Sequence, residues 1–127
     1  ELSRRGYLMG VISNTTSTAD LPRFIDQCGL KSYFQVVSLS AVIGIRKPNS
    51  EIFWHATRAL HVDPSRCAYL GNKIPIDVVG SRRAGFAMAI IIEPPDKPCE
   101  DQRDRVDKPD AVIHELSELL EIFPPRW

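Results

Sequence analysis

Residues 67–86 read CAYLGNKIPIDVVGSRRAGF. Ala68–Gly71 (AYLG) is a short, mostly apolar run that reads as a strand ending at a glycine. Asn72 and Lys73 follow as a polar turn. Pro75 suits the N-terminus of a helix, where its missing N–H is not needed. The helix then runs toward Ala84, with Gly85 as its stop. Ala87–Ile92 (AMAIII) follows at once as a second strand, apolar along its whole length.

The same alternation extends outward in both directions. Toward the N-terminus, Tyr7–Ser13 (YLMGVIS) reads as a strand buried on both faces. A helix follows with Leu21, Phe24, Ile25 and Cys28 on one face, Ser17 or Thr18 to cap it and Gly29 to end it. Phe34–Ser38 is another strand. After Pro48, Asn49 or Ser50 caps a helix with Ile52, Phe53, Ala56, Ala59 and Leu60 on one side. Toward the C-terminus, the residues from Glu93 to Asp110 hold four prolines among many charges and read as a solvated loop. Ala111–Ile113 is a short strand. A last helix carries Leu116, Leu119, Leu120 and Phe123 at helical spacing. Strand–helix alternation predicts an α/β fold, a parallel sheet flanked by helices.

Composition narrows the class. The chain has 127 residues, 43% hydrophobic and 25% charged, which suits one globular domain and excludes a disordered or collagen-like chain. Sixteen basic residues balance sixteen acidic ones, so charge gives no case for nucleic acid or an anionic membrane as a partner. The longest apolar run is far too short to span a bilayer, and no secretory signal is visible. Three cysteines (Cys28, Cys67, Cys99) lack metal-site spacing and point to a reducing, cytoplasmic setting. Cys28 and Cys67 are expected in the core, and Cys99 as a surface thiol. His55, His61 and His114 share no metal spacing and are expected to be structural or surface residues.

In parallel sheets, ligands bind beyond the carboxyl ends of the strands. The residues there are Ser13-Asn14-Thr15-Thr16 and Asn72-Lys73, with Lys47 before a helix. Ser13 and Asn14 put hydroxyl, amide and backbone N–H groups near a helix N-terminus, a combination suited to an anion such as phosphate or to a simple turn and cap. Lys47 either places a positive charge over that anion or lies solvated at the surface. Asn72 and Asp77 offer oxygen ligands for a hard cation, or else a helix cap and a solvated carboxylate.

The order of these weak signals carries more than each alone. GVISNTTS, IRKPNSEIF and CAYLGNKIPIDVVGSRRAGF, with the closing KPDAVIHELSELLEIF, resemble the haloacid dehalogenase-like (HAD) hydrolase superfamily over nearly the whole chain. The resemblance implies a three-layer Rossmann-like core of parallel strands with flanking helices, residues 1–127 forming one core domain without a cap. It implies Mg²⁺-dependent phosphoryl transfer through an aspartyl-phosphate, on a small phosphorylated substrate. By resemblance, Ser13 matches the hydroxyl that bonds the phosphoryl group, with Asn14 beside it. Lys47 matches the cation that steadies nucleophile and phosphate, and Asn72 and Asp77 fall where phosphatases carry metal-binding acids. Spacing to Asp77 and the Arg-Arg-Ala-Gly-Phe ending favour the phosphatase-like branch.

Two departures matter. No Asp-x-Asp follows an apolar strand, so the family's first motif and its nucleophile are absent from these 127 residues. The chain therefore reads as the C-terminal part of a longer enzyme, inactive alone. The sheet would lack its central first strand, leaving two edges that a homodimer or a complementing N-terminal segment would cover. Asn72 also replaces a metal-binding Asp, which weakens any Mg²⁺ site. A non-catalytic binding domain and a metal-independent 2-haloacid dehalogenase relative are the alternatives.

Overall fold

The computed structural model describes residues 1–96 and 107–126. Five strands and five α-helices lie among these residues, in the order β1 (Gly10–Ser13), α1 (Asp20–Gln27), β2 (Val36–Leu39), α2 (Ser40–Ile43), α3 (Ser50–Ala59), β3 (Ala68–Gly71), α4 (Val79–Arg83), β4 (Met88–Ile92), β5 (Ala111–Ile113) and α5 (Leu119–Ile122). All pairings among the described strands are parallel, as the strand–helix alternation implies. β1 pairs with β2, and β3 pairs with β4, which pairs with β5. Among the described residues no ladder joins β1 to β3, so the strands form two separate parallel sheets.

β4 shows the layering. Ala89 and Ile91 pack on one face with Ile74 and Val78, while Ile90 packs on the other with Ile113 and Leu119. A strand buried on both faces needs apolar residues at every position, which MAIII supplies. α3 spans the divide between the two sheet parts. Its fully buried Ile52 and Phe53 pack with Ile12 of β1 and Tyr69 of β3. The Phe53 ring meets Tyr69 edge-on at 5.0 Å and Phe86 at 5.6 Å. Side chains of this size each contribute about 1.5–3 kcal/mol on burial.

Several expectations need correction. Tyr7–Ser13 is a strand only from Gly10, because Tyr7 turns to the C-terminal tail, where its hydroxyl donates to the Pro124 carbonyl. β2 runs one residue beyond Ser38, and starts at Val36 rather than Phe34. In α1 only Ile25 is buried; Phe24 is 58% exposed and Cys28 is also exposed. Nothing among the described residues covers that part of the stripe, so periodicity overstated its burial. Leu116 lies in a 3-10 turn (Leu116–Glu118), whose tighter winding rotates it off the α-helical stripe and leaves it 62% exposed. Cys67 is half-buried, and Cys99 lies outside the described residues.

The start of α3 is as the sequence implies, whereas α1 begins after Ala19, which has no side-chain cap, with Ser17 bonding just ahead of it. Asn49 Oδ1 accepts from the Glu51 N–H at the head of α3, and the Ser17 hydroxyl accepts from the Ala19 and Asp20 N–H groups before α1.

Candidate functional site

Ser13 ends β1, paired with Leu39, and the chain leaves the sheet at Asn14. Asn14 clamps the backbone of Lys47 from both sides: its Oδ1 accepts from the Lys47 N–H at 2.8 Å, and its Nδ2 donates to the Lys47 carbonyl at 3.1 Å. A second brace holds the same loop, since the Thr15 N–H donates to Ser40 Oγ at 2.8 Å and Ser40 Oγ donates back to the Thr15 carbonyl. These short polar side chains serve the backbone of irregular segments that have no ladder to satisfy them. Thr15 Oγ1 is buried in this loop without a hydrogen-bond partner among the described residues. The Ser13 hydroxyl likewise makes no hydrogen bond among them.

Lys47 is not surface decoration. Its Nζ lies 2.8 Å from Asp77 Oδ1 and 3.0 Å from the Tyr69 hydroxyl, with only 12% of its side chain exposed. An ammonium has three donors, so one N–H remains for a ligand. Burial works against the charge, but the Tyr69 and Asp77 oxygens outweigh it and hold the ammonium above its ordinary value of 10.5. Burial also pushes the Tyr69 hydroxyl above its ordinary 10.0, against the pull of Lys47. The Tyr69 hydroxyl donates to the Ile12 carbonyl at 3.1 Å, reaching from β3 to β1 across the divided sheet.

Asp77 is buried to 3% exposure, which overturns a solvated carboxylate. Its Oδ2 accepts from the Asn72 and Lys73 backbone N–H groups at 2.9 and 3.0 Å. The turn that carries it, Ile74–Val78, is π-helical rather than the simple helix start expected from Pro75. That wider turn folds the carboxylate back over the strand end. Gly71 is required there, because a Cβ at this position would sit 2.3 Å from the Asp77 carboxyl carbon.

This geometry tests the pair Asn72 and Asp77 as a metal site. Asp77 spends Oδ2 on two peptide N–H groups and Oδ1 on Lys47, and its charge is already met by the ammonium. Asn72 offers a neutral carbonyl. Among the described residues no three His, Cys, Asp or Glu side chains converge as metal ligands. The residues present do not fit Mg²⁺ by themselves, because hard cations are held by several anionic oxygens with free lone pairs. The donor set suits an anion instead.

The structure thus brings Asn14, Lys47 and Asp77 into one hydrogen-bonded cluster, with Ser13 and Asn72 adjoining it through the backbone. Tyr69, Ser40 and Gly71 were not foreseen. Gly71 alone left a signal, as a glycine at a strand end where the chain needs close approach. The histidines stand apart from the cluster: His55 Nδ1 lies 2.7 Å from Ser38 Oγ, His61 adopts a left-handed backbone (φ 54°), and His114 Nδ1 lies 2.9 Å from the Glu93 carbonyl. No helix among the described residues is long and apolar enough to cross a membrane.

Comparison with known proteins identifies the family. The chain is similar to the glyceraldehyde 3-phosphate phosphatase of Methanothermobacter thermautotrophicus, 34% identical over 126 residues, which is 97% of this chain and 54% of the relative. A HAD phosphatase from Thermococcus onnurineus superposes with a TM-score of 0.81 at 26% identity, over 98% of this chain and 54% of that one. A 2-haloacid dehalogenase from Pseudomonas syringae superposes with a TM-score of 0.73 at 32% identity, over 91% and 46%. The chain spans about half the length of the curated relatives it matches. Residues 1–91 match the haloacid dehalogenase-like hydrolase family, and with the parallel fold and the shared motifs this places the chain in that family.

Proposed function

We propose that this chain supplies the anion-receiving half of a phosphatase site, acting on a small phosphate monoester of the kind named for the glyceraldehyde 3-phosphate phosphatase relatives. The observation that carries the reading is the lysine: a largely covered ammonium, oriented by Asp77 and Tyr69 and retaining one free N–H, beside the loop of Ser13 and Asn14. Such a preorganised donor stabilises the charge on a phosphoryl group, and it does so more strongly where water is excluded. In this reading Ser13 and Asn14 contribute hydroxyl and backbone donors to the same oxygens. The attacking carboxylate is not among these 127 residues, so the isolated chain is expected to be inactive. The unpaired edges of β1 and β3 make a complementing N-terminal segment, or a second copy, the natural partner.

A second reading has its own support. Asn72 and the likeness to the Pseudomonas syringae dehalogenase favour metal-independent cleavage of a 2-haloacid. Aryl phosphate hydrolysis separates them. The isolated chain is expected to stay at buffer background, while the native polypeptide turns over and loses activity in Lys47→Ala. Turnover by the isolated chain refutes the assignment of half a site. Chloride release from a 2-haloacid by the native polypeptide, without phosphate release, replaces phosphatase with dehalogenase.

A further inference from the structure

We propose that the open cavity between the loop before α3 and the end of α4 binds a second oxyanion, a phosphate group carried by a small molecule or the free ion, through Arg46 and Arg83. The cavity measures about 490 Å³, within the range of about 300–1,000 Å³ for small-molecule sites. Its charged lining is Arg46 and Arg83, and no carboxylate among the described residues shares it. Both guanidiniums are exposed, and neither has a hydrogen-bond or ion-pair partner among the described residues. Glu51, the acid nearest to Arg46 in sequence, pairs with Arg58 instead.

The two arginines come from different elements, and packing brings them to one wall. A Cβ on Gly80 would lie 2.7 Å from the Phe53 ring and 3.1 Å from Pro48 Cα, so α4 runs flush against the loop and the head of α3. Arg83 follows three residues on, along the same side of the helix. The loop backbone is set before any ligand arrives. Asn14 holds the Lys47 N–H and carbonyl, and the Arg46 carbonyl accepts from the Asn49 N–H at 3.0 Å. Lys47 turns to Asp77 and Tyr69 and does not line the cavity, whereas Arg46 and Pro48 on either side of it do. Two guanidinium forks with no other partner match the charge of a phosphate dianion, and each can hold two of its oxygens.

The test is a ¹H–¹⁵N titration of the 127-residue chain at pH 7 with inorganic phosphate, repeated with glycerol phosphate and with acetate. Saturable shifts of the Gly44, Ile45, Arg46 and Asn49 amides are expected with both phosphates. Arg46→Gln and Arg83→Gln are each expected to weaken the midpoint roughly fivefold, and Arg83→Lys by less, since it keeps the charge and loses the fork. Arg4 pairs with Glu1, and Arg4→Gln is expected to leave the midpoint unchanged. A tighter midpoint for glycerol phosphate assigns the site to a phosphorylated molecule and an equal or weaker one to the free ion; either upholds it. No saturable shift at these amides, a midpoint that Arg83→Gln does not move, one that Arg4→Gln weakens equally, or acetate binding as tightly as phosphate overturns the proposal. Saturable shifts confined to Ser13, Asn14 and Asn72 overturn it while leaving the strand-end reading in place, so the two fail separately.

Discussion

Replacing Lys47 with Met keeps the aliphatic stem and removes the charge. The variant loses two hydrogen bonds from Nζ, to Asp77 and to Tyr69, and leaves Asp77 with 4% side-chain exposure and no counter-charge. Hydrogen bonds to charged groups are worth about 1.5–3 kcal/mol each, which gives about 3–6 kcal/mol. Breaking a buried pair from one side costs about 3–5 kcal/mol, in the same range. A loss of about 4 kcal/mol is expected, which moves a urea midpoint by about 2 M at a typical slope for a domain of this size. Asp77→Asn is milder, since an amide oxygen still accepts from the Asn72 and Lys73 N–H groups while its NH₂ faces the ammonium. The double variant should cost at least about 1.5 kcal/mol less than the two singles together, because each single strands the other partner. Circular dichroism in urea at pH 7 measures all three, and Asp77→Asn keeps the cycle informative if Lys47→Met does not fold. The Lys47 ammonium is held above its ordinary value in the fold, so its contribution is complete below pH 10.5 and fades as the pH rises through the folded value. The gap between the native chain and Lys47→Met should therefore close at strongly alkaline pH. A single-variant loss under about 1 kcal/mol, or strict additivity of the pair, would refute the brace.

Four further outcomes follow from the same contacts. Gly71→Ala forces a Cβ into the Asp77 carboxylate and should cost about 3 kcal/mol in a thermal melt. Tyr69→Phe leaves the Ile12 carbonyl and one Lys47 donor unpaired, for an expected loss of about 1–3 kcal/mol by urea titration; a neutral result means the phenol does not tie β1 to β3. Glu118 accepts from the His114 and Glu115 N–H groups, which holds its carboxyl below the ordinary 4.5. Its contribution is present above pH 4.5 and is lost as the pH falls through the folded value, so Glu118→Gln should flatten the acid limb of a melting-temperature profile. Arg5 donates to the Leu120 and Phe123 carbonyls at the end of α5. Arg5→Ala should destabilise by about 2 kcal/mol and expose the C-terminal tail to limited proteolysis first.

The order of strands and the start of α3 were legible because they depend on neighbours in sequence. Ala68–Gly71 and Ala111–Ile113 appear at the residues their apolar runs mark, and Asn49 caps α3 through its own second neighbour. Periodicity was less informative where burial depends on what lies opposite. Phe24, Cys28 and Leu116 sit on apolar stripes that the fold leaves open, and no property of the stripes themselves distinguishes them from the covered face of α3.

Residue order alone pointed to the family and the parallel α/β architecture, and it singled out Ser13, Asn14, Lys47, Asn72 and Asp77 as candidates, because side-chain chemistry at strand ends is written locally. What each residue does was decided in three dimensions. Lys47 could be solvated or catalytic in sequence, and becomes a half-buried, oriented ammonium only when Asp77 and Tyr69, 30 and 22 residues away, close on it. Asp77 could be a ligand or a surface acid, and becomes a saturated brace once the turn brings it over Gly71. The physical reason is that charge, hydrogen-bond capacity and burial belong to an environment, and residues distant along the chain create that environment.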